Sequence, residues 1–579
     1  MTRTRVWWLV ILLPLYLEDP RASAAQEKAD LVVVNAKVVT LDKESRVVEA
    51  FAAREGKFVA VGSTTEIRGW VGPQTRVIDA HGKTIVPGII ESHSHASAVA
   101  RAEAAEPYQE MTSIAVIQEW VRRAAQEKPE GEWIVIPRSY PSRLRERRFP
   151  FRAELDAATT RHPVVFDGAY AHVLNSLGLE KAGIRRDSPP LAVGEIVRDA
   201  AGEPTGLLRN ARGLLGKFLP APKVSSAEVL NRLEELHQIY ASLGITSMME
   251  RAGSIEDYRR YEELRAQNRL KLRTRFTLRL PGTTSAEAEK FIGNLPLKPG
   301  GGDEWLAPGP LKITVDGGIL LGTSFMREHY GAKAVTLYGL TDPGYRGSLS
   351  LEPGSITALI TTGHRLGWQM SAHVTGNAGV DLVLDAVEAA GKIRPIENSR
   401  FNLIHAYFPD AATTARARKL GVCLDTQPAW YFKDADALLT ALGSERLSKF
   451  VGVREWLKAG VPVAANTDHM LGMDPNRALN PFNPFLTMYV LVTRKTEGGQ
   501  VIGAAQKVSR EQALRMMTRD AAYLTFDEDR KGSIEAGKFA DFAILSDDYL
   551  SCPPEKIRNI QADTTIVAGR VIYERKPAP

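Results

Sequence analysis

The stretch Val86-Pro87-Gly88-Ile89-Ile90-Glu91-Ser92-His93-Ser94-His95 decides the fold of this chain. Its apolar first half is typical of a buried strand, and two histidines separated by one residue follow at the carboxyl end. Side chains two positions apart on a strand point to the same face, so both imidazoles can bind one metal ion. The stretch therefore predicts a strand that presents a metal site at its carboxyl end.

Three later residues occupy corresponding positions. His373 follows a predicted strand at 368–372, His405 follows one at 401–404, and Asp468 follows one at 461–465. The carboxyl ends of parallel barrel strands meet at one face, so these side chains are expected beside the first two histidines. Imidazole nitrogen with carboxylate oxygen is a donor set of catalytic zinc, which keeps one position for water.

Lys312 lies on a predicted strand at 311–315 and has two interpretations. It can form an ion pair with Asp316, four residues along the chain, and the residues alone favour this reading. Alternatively, carbon dioxide can carbamylate the amine, which converts it to a carboxylate able to bridge two metal ions.

Strand-like and helix-like segments alternate over residues 87–526, which predicts an α/β fold with a (β/α)8, TIM-like barrel. Residues at about 97–225 are polar and rich in Pro and Arg, and are expected to form an insertion after the first strand. The β-rich segments 26–86 and 527–579 are expected to pair into a small composite β-sandwich domain. The chain of 579 residues thus divides into two domains.

Residues 1–25 are typical of a cleaved signal peptide. Arg3 and Arg5 precede an apolar run at 6–17, and Ala22-Ser23-Ala24 supplies the small residues of a cleavage site. The run is too short to span a bilayer comfortably, so no stable membrane insertion is expected after cleavage. The pattern predicts a secreted or periplasmic protein, with an uncleaved, membrane-dipping N-terminus as the alternative.

The composition is that of an ordinary globular protein, with 44% hydrophobic and 25% charged residues and a net charge of +6. The basic run at 143–148 has no interleaved aromatic residues, so it predicts a solvated loop and no nucleic-acid partner. Cys423 and Cys552 are the only cysteines, which excludes a disulfide scaffold and a cysteine-based metal site.

Trp430 and Tyr431 follow a predicted strand and are candidates to line a pocket. The other histidines considered are expected to be structural or solvent-facing: His81, His162, His237, His329 and His364.

The chain resembles the amidohydrolase superfamily, and within it amidohydrolase family 3, the group that contains N-substituted formamide deformylase. The resemblance covers nearly the whole chain after the signal segment. The residues that carry it are the opening stretch 86–95, Gly202-Glu203-Pro204-Thr205-Gly206, Lys312 with Asp316-Gly317, His373, His405, Thr467-Asp468, and the tail 531–541.

The resemblance implies a metal-dependent hydrolase that cleaves a non-peptide, amide-type carbon–nitrogen bond of a small molecule. It implies metal ligands at His93, His95, His373, His405 and Asp468, one or two divalent ions such as zinc, a carbamylated Lys312 as a bridge, and Asp468 as proton shuttle. Three positions depart from the family pattern: Asn377 after Gly376 in place of Asp, Thr467 in place of Ser, and Tyr170 in place of His, with His172 nearby. The alternatives are an esterase, lactonase or deaminase with the same site, or a non-catalytic secreted binding protein.

Overall fold

The computed structural model of the protein describes residues 27–219 and 223–576, so the predicted signal segment 1–25 lies outside the described residues. The fold is α/β: parallel strands alternate with helices through the central part of the chain. Among the described residues, no helix combines the length and the apolar character that crossing a bilayer requires.

Two parallel sheets form the centre of the molecule. The first parallel sheet has the strand order Leu306–Pro308, Arg273–Leu278, Ile245–Gly253, Ile89–Ser94. The second has the order Leu311–Thr314, Met370–Val374, Asn402–His405, Cys423–Thr426, Val463–Ala465. All neighbouring strands within both sheets pair in parallel.

The two sheets meet at two seams, where single parallel bridges replace continuous ladders. Arg279 bridges to Lys312 at one seam, and Ser94 bridges to His469 at the other. Residues 306–314 belong to both sheets, because their first part pairs with Arg273–Leu278 and their second part with Met370–Val374. The carboxyl ends of all these strands therefore face one side of the molecule, which we call the site face.

Helices follow most of the parallel strands, as the alternating pattern predicts. The described α-helices are Thr64–Arg68, Ala96–Ala105, Ile114–Glu127, Arg152–Asp156, Ser176–Ala182, Arg212–Leu215, Ser226–Ser242, Ile255–Ala266, Ser285–Gly293, Val335–Tyr338, Pro353–Arg365, Asn377–Gly391, Ala411–Lys419, Pro428–Leu442, Ser444–Leu447, Val453–Lys458, Pro484–Thr493, Arg510–Met516 and Arg519–Tyr523. Short 3₁₀ helices lie at Pro141–Arg143, Ile319–Leu321, Ala332–Ala334, Ala504–Gln506 and Pro554–Asn559.

The helix Ser226–Ser242 illustrates how the sequence sets these units. Ser225 caps its first turn and forms a reciprocal capping box with Glu228, which satisfies two free backbone N–H groups. Gly244 follows with a φ of 82°, a left-handed conformation that a β-carbon would strain. The chain then turns directly into the strand Ile245–Gly253.

Strands from the two ends of the chain share one mixed sheet, the terminal sheet. Its order is Arg570–Glu574, Ala562–Val567, Phe542–Leu545, Thr84–Pro87, Lys37–Val39, Val47–Val48. A second sheet, with the order Lys57–Gly62, Ala50–Arg54, Leu31–Val34, Arg76–Asp79, contributes to the same apolar core. In that core the rings of Phe51 and Phe542 meet edge to face at 4.8 Å between centroids.

The segment between the first two parallel strands contains a separate five-stranded mixed sheet, the insertion sheet. Its order is Glu195–Arg198, Pro204–Arg209, Ala171–Leu174, Val164–Asp167, Ile134–Ile136. It lies within the segment 97–225 in which the sequence predicts an insertion.

Cys423 and Cys552 are both buried and are not joined to each other.

Candidate active site

The six residues predicted as metal ligands lie together at the site face. His93 and His373 lie near the carboxyl ends of their strands, His405 ends its strand, and His95 and Asp468 follow theirs. Five of the six are buried, and the side chain of His95 is 19% exposed. Strand-end positions that are hundreds of residues apart in sequence thus converge on one cluster.

Asp468 Oδ1 is the centre of a first group of donors. It lies 3.3 Å from Nε2 of His93 and 3.4 Å from Nε2 of His95. One ligand atom from each of the three residues lies within 4.8 Å of the other two, a spacing that suits a single metal ion. Asp468 Oδ1 is also buried without a hydrogen-bond partner among the described residues, and such an oxygen is stabilised by a cation.

His373 and His405 form a second pair, with Nδ1 of His373 only 2.8 Å from Nε2 of His405. The other nitrogen of each ring faces an acceptor: His373 Nε2 lies 3.0 Å from the Gly317 carbonyl oxygen, and His405 Nδ1 lies 2.5 Å from Gln427 Oε1. In neutral imidazoles, donation to those acceptors leaves two lone pairs facing each other, which a bound cation stabilises. The residues present therefore fit divalent metal ions.

The protonation states agree with this role. Burial lowers the pKa of His405 to about 4 and holds the pKa values of His93 and His373 well below their usual value. All three rings are therefore neutral at pH 7, and the neutral imidazole is the form that binds metal.

Lys312 lies between these groups, with Nζ 3.2 Å from His93 Nε2. Burial lowers the pKa of its amine to about 7. The alternative of an ion pair with Asp316 is wrong, because Asp316 accepts backbone N–H groups of Phe325, Thr375 and Gly376 instead. A strand places residues four apart on one face, but Asp316 lies beyond the end of Leu311–Thr314, where the chain has left the strand.

Asp425, whose role was not predicted from the sequence, orients His93 from the side opposite the cavity. Its Oδ2 lies 3.1 Å from His93 Nδ1 and 2.7 Å from the guanidinium of Arg251. Ser92 Oγ donates to Oδ1 of the same carboxylate at 2.9 Å. Acceptance of the Nδ1 proton turns His93 Nε2 toward the metal side, an arrangement common around metal-binding histidines.

Glu91 positions the segment that carries Asp468. Its Oε1 accepts the backbone N–H of Thr467 at 3.1 Å, and its Oε2 accepts the Thr467 hydroxyl at 2.9 Å. Asp468 itself has a φ of 52°, and His405 has a φ of 79°. Non-glycine residues pay about 1–3 kcal/mol each for such conformations, which persist where the surrounding contacts impose them.

Trp430 lines the site as predicted, and its Nε1 donates to Asp468 Oδ2 at 3.0 Å. Tyr431, the other candidate, does not line it, because its hydroxyl donates to the Arg494 carbonyl oxygen at 2.6 Å and lies 3.0 Å from that of Ile502. The prediction of a solvated basic loop is wrong for Arg143. This side chain is 7% exposed, pairs with the buried Asp434 at 2.8 Å and lies over the rings of Tyr140 and Trp430.

A cavity of about 730 Å³ opens onto the site. The insertion supplies one part of its wall, through Arg138, Tyr140, Tyr170, Asn210 and Arg212. The connections of the parallel sheets supply most of the rest, including a short apolar stretch at Ile319–Leu321. The size suits a small-molecule substrate.

Tyr170, which departs from the family pattern, reaches the candidate ligands directly. Its hydroxyl lies 3.3 Å from His373 Nδ1, and its ring packs on the same imidazole at 4.9 Å between centroids. His172 is buried further back, with Nε2 3.3 Å from Asp167 Oδ1. Tyr170 therefore forms the wall of the cavity beside the second histidine pair.

The five histidines expected to be structural or solvent-facing lie away from this cluster. His81 is exposed, His162 and His364 face backbone carbonyl oxygens, and His329 faces the Gly344 carbonyl on the surface. His237 is buried against Tyr261 at 5.6 Å between ring centroids, and burial lowers its pKa to about 3.

Comparison with known proteins identifies the family and the class of enzyme to which this protein belongs. A family model described as "Amidohydrolase family" matches residues 76–573, and the chain therefore belongs to the amidohydrolase family. It is an enzyme of that family, a hydrolase acting on carbon–nitrogen bonds other than peptide bonds. The family prediction made from the sequence is confirmed.

Three similar proteins, one compared by sequence and two by structure, show how far the similarity extends. The chain is 29% identical to N-substituted formamide deformylase of Arthrobacter pascens over 94% of this chain and 98% of that protein. The fold is similar to an uncharacterized metal-dependent hydrolase from Pyrococcus horikoshii, with a TM-score of 0.65, 18% identity, and coverage of 91% and 99% of the two chains. It is also similar to atrazine chlorohydrolase TrzN from Arthrobacter aurescens complexed with zinc, with a TM-score of 0.52, 15% identity, and coverage of 94% and 95%.

Proposed function

We propose that the protein hydrolyses an amide-type carbon–nitrogen bond of a small molecule, with one or two divalent ions, zinc being the ion expected for this donor set. The observation that carries the proposal is the convergence of His93, His95 and Asp468 within 4.8 Å of one another, beside the facing pair of His373 and His405. The similarity to N-substituted formamide deformylase supports an amide-type bond as the bond that is cleaved.

His93, His95 and Asp468 would hold one ion, and His373 with His405 would hold a second. When bound, such an ion lowers the pKa of a coordinated water to about 7 and polarises a substrate carbonyl. Asp468 accepts the proton of the attacking water on its carboxylate and delivers it to the leaving nitrogen. Trp430 fixes Oδ2 through its Nε1–H at 3.0 Å, so the carboxylate keeps its orientation.

We also propose that Lys312 is carbamylated. Its ammonium group first loses a proton to solvent, the free amine Nζ then forms a bond to the carbon of carbon dioxide, and a second proton leaves to solvent. This converts a cation beside His93 into an anion. The position supports this step, because an ammonium group 3.2 Å from a metal-binding nitrogen opposes cation binding, whereas a carbamate assists it. Carbon-13 NMR of protein equilibrated with labelled bicarbonate tests it: the Lys312→Met variant should lack a carbamate signal that the wild type shows.

The metal content of protein purified without chelators tests the proposal as a whole. About two ions per chain support a pair bridged by Lys312, and about one supports a single site. A panel of amides, formamides, esters, lactones and aminated rings then identifies the bond. Preferred turnover of esters or lactones would establish the esterase or lactonase alternative, and release of ammonia from rings would establish a deaminase. Protein without metal and without turnover after addition of zinc or manganese would be a binding protein.

The finer architecture is part of the same proposal. We propose that the two parallel sheets close into a (β/α)8 barrel over 87–526, with the insertion at about 97–225, and that 26–86 and 527–579 form a composite β-sandwich domain. The single bridges at both seams and the pairing of Thr84–Pro87 with Phe542–Leu545 support it. Deletion of 527–579 should then abolish soluble expression, because it removes three strands of the terminal sheet.

Secretion to the periplasm or the medium is likewise proposed, on the basis of the charged start and the apolar run at 6–17. N-terminal sequencing of the protein from a bacterial host should find cleavage close to residue 25. An intact N-terminus in the cytoplasmic fraction would contradict it.

A further inference from the structure

The cavity at the site is strongly cationic. Three arginine side chains line it: Arg138, Arg212 and Arg279. Asp468 is the single carboxylate in the lining among the described residues, and it already faces His93 and His95. Metal ions would add further positive charge. The cavity therefore attracts anions.

Arg138 and Arg212 both act on one carboxylate of the insertion sheet, that of Asp167. Arg138 forms an ion pair with Asp167 at 2.9 Å, and both side chains are largely buried. Burial acts to raise the pKa of Asp167, but the nearby charges of Arg138 and Arg212 hold it well below its usual value. Asp167 is thus ionised, and it offsets the charge on that side of the cavity.

Arg279 has no such partner. It follows the strand Arg273–Leu278 and bridges through its backbone to Lys312, so its side chain starts at the site face, one strand from the amine. The guanidinium forms neither an ion pair nor a hydrogen bond with the described residues, and the residue is exposed within the cavity.

An apolar surface lines the same cavity. Ile319, Leu320 and Leu321 form a buried 3₁₀ turn, and Leu280, the neighbour of Arg279, is also buried. A planar guanidinium that lacks a protein partner matches a carboxylate through two parallel hydrogen bonds. Beside it, the apolar turn suits an aliphatic or aromatic group.

We propose that the substrate is an amide that carries a carboxylate and an apolar group, and that Arg279 binds the carboxylate while the Ile319–Leu321 turn contacts the apolar group. This inference rests on the proposed function, because it names the substrate class of that same site. Arg279 is then a residue that determines specificity, and it takes no part in proton transfer.

Matched substrates test the role of Arg279. N-formyl-leucine and its neutral analogue N-formyl-leucinamide differ in the carboxylate but share the formamide and the side chain. Wild-type protein with metal should hydrolyse the acid with a kcat/KM about 10- to 100-fold higher, the range expected for a hydrogen-bonded charge pair. Arg279→Met should remove this preference by lowering kcat/KM for the acid alone, and Arg279→Lys should restore part of it. Arg259→Met changes an exposed arginine outside the cavity and should leave both rates unchanged.

Binding supplies a second readout that does not need turnover. Calorimetry on the Asp468→Asn variant should find N-formyl-leucine bound at least ten times more tightly than the carboxamide, and the added Arg279→Met change should abolish the difference. Equal binding of the two compounds, binding of neither, or an equal loss for both in Arg279→Met would overturn the inference. If the wild type cleaves only neutral amides, the inference fails and the proposed function stands. If no amide is cleaved, the proposed function fails as well.

Discussion

His405 Nε2 faces His373 Nδ1 at 2.8 Å, while the opposite nitrogen of each ring faces its own acceptor. Two neutral rings held this way place their lone pairs against each other. Because a cation relieves this opposition, the pair is expected to be ordered by metal.

Replacement of His405 by Gln should therefore remove metal. We expect affinity for the ion held by this pair to fall by more than about 100-fold, a greater loss than that typical of outer contacts. Zinc titration and elemental analysis measure it, and His81→Gln, an exposed histidine, is the control. Unchanged metal content in His405→Gln would place the ion elsewhere.

Gln427 should affect metal binding although it does not reach the ion. Its Oε1 accepts from His405 Nδ1 at 2.5 Å, which fixes the ring and its tautomer. Gln427→Leu is expected to cost about 10- to 100-fold in metal affinity or activity. Gln427→Glu keeps an acceptor at the same place, so it should retain most of the affinity. Equal losses in both variants would indicate that packing, rather than the hydrogen bond, is responsible.

Asp468→Asn should lower kcat by about 10²- to 10⁴-fold, because an amide does not accept and return the proton of the attacking water. The thermal midpoint should change little, since Asn preserves the shape of a side chain that accepts from Trp430. Steady-state kinetics and thermal unfolding of the same preparations measure both quantities. A variant with full activity would exclude Asp468 from proton transfer.

Arg251→Met should destabilise the protein strongly. Arg251 and Asp425 are both fully buried and 2.7 Å apart, so removal of the arginine leaves an uncompensated carboxylate in the interior. We expect the free energy of unfolding to fall by about 3–5 kcal/mol. Arg416→Met breaks an exposed ion pair with Glu388 and should cost less than about 1 kcal/mol. Urea unfolding compares the two variants, and similar small losses would show that Asp425 is protonated when alone.

The ion pair of Lys37 with Asp548 should make stability depend on pH. Burial opposes ionisation, but hydrogen bonds from Lys37 and Ser551 lower the pKa of Asp548 to about 2, from an ordinary 3.8. A carboxyl group with a lowered folded pKa stabilises the protein above about pH 4, and the contribution is lost as pH falls toward 2. Asp548→Asn should therefore lower the thermal midpoint at pH 6, and the difference from wild type should shrink below pH 4. Asp529→Asn, an exposed aspartate, should show no such trend.

The clustering of the candidate metal ligands could be predicted from the sequence, because the ends of parallel strands can be predicted. Apolar runs that precede His373 and His405 mark the strands, and parallel strands bring their carboxyl ends to one face. The observed strands Met370–Val374 and Asn402–His405 begin within two residues of the predicted starts. The ion pair of Lys312 with Asp316 failed for a local reason, since a four-residue spacing has meaning only while the strand continues.

Contacts between distant segments were not predictable in this way. Arg143 looked like part of a solvated basic run, but Asp434, 291 residues later, neutralises it in the interior. Asp425 and Arg251 were missed although each offers a signal: a charged residue inside an apolar strand needs a partner. Sequence identifies that need, but only the fold identifies the partner.

The candidate metal ligands and part of the cavity wall come from different segments of the chain, and this separation affects how the enzyme can evolve. Every candidate metal ligand comes from the parallel strands or the residues just after them, whereas Arg138, Tyr140, Tyr170, Asn210 and Arg212 come from the insertion. Exchange of that one segment would change its part of the wall and leave the reactive centre, Arg279 and the Ile319–Leu321 turn in place. A single recombination event could thus reshape one side of the cavity while the chemistry is inherited intact.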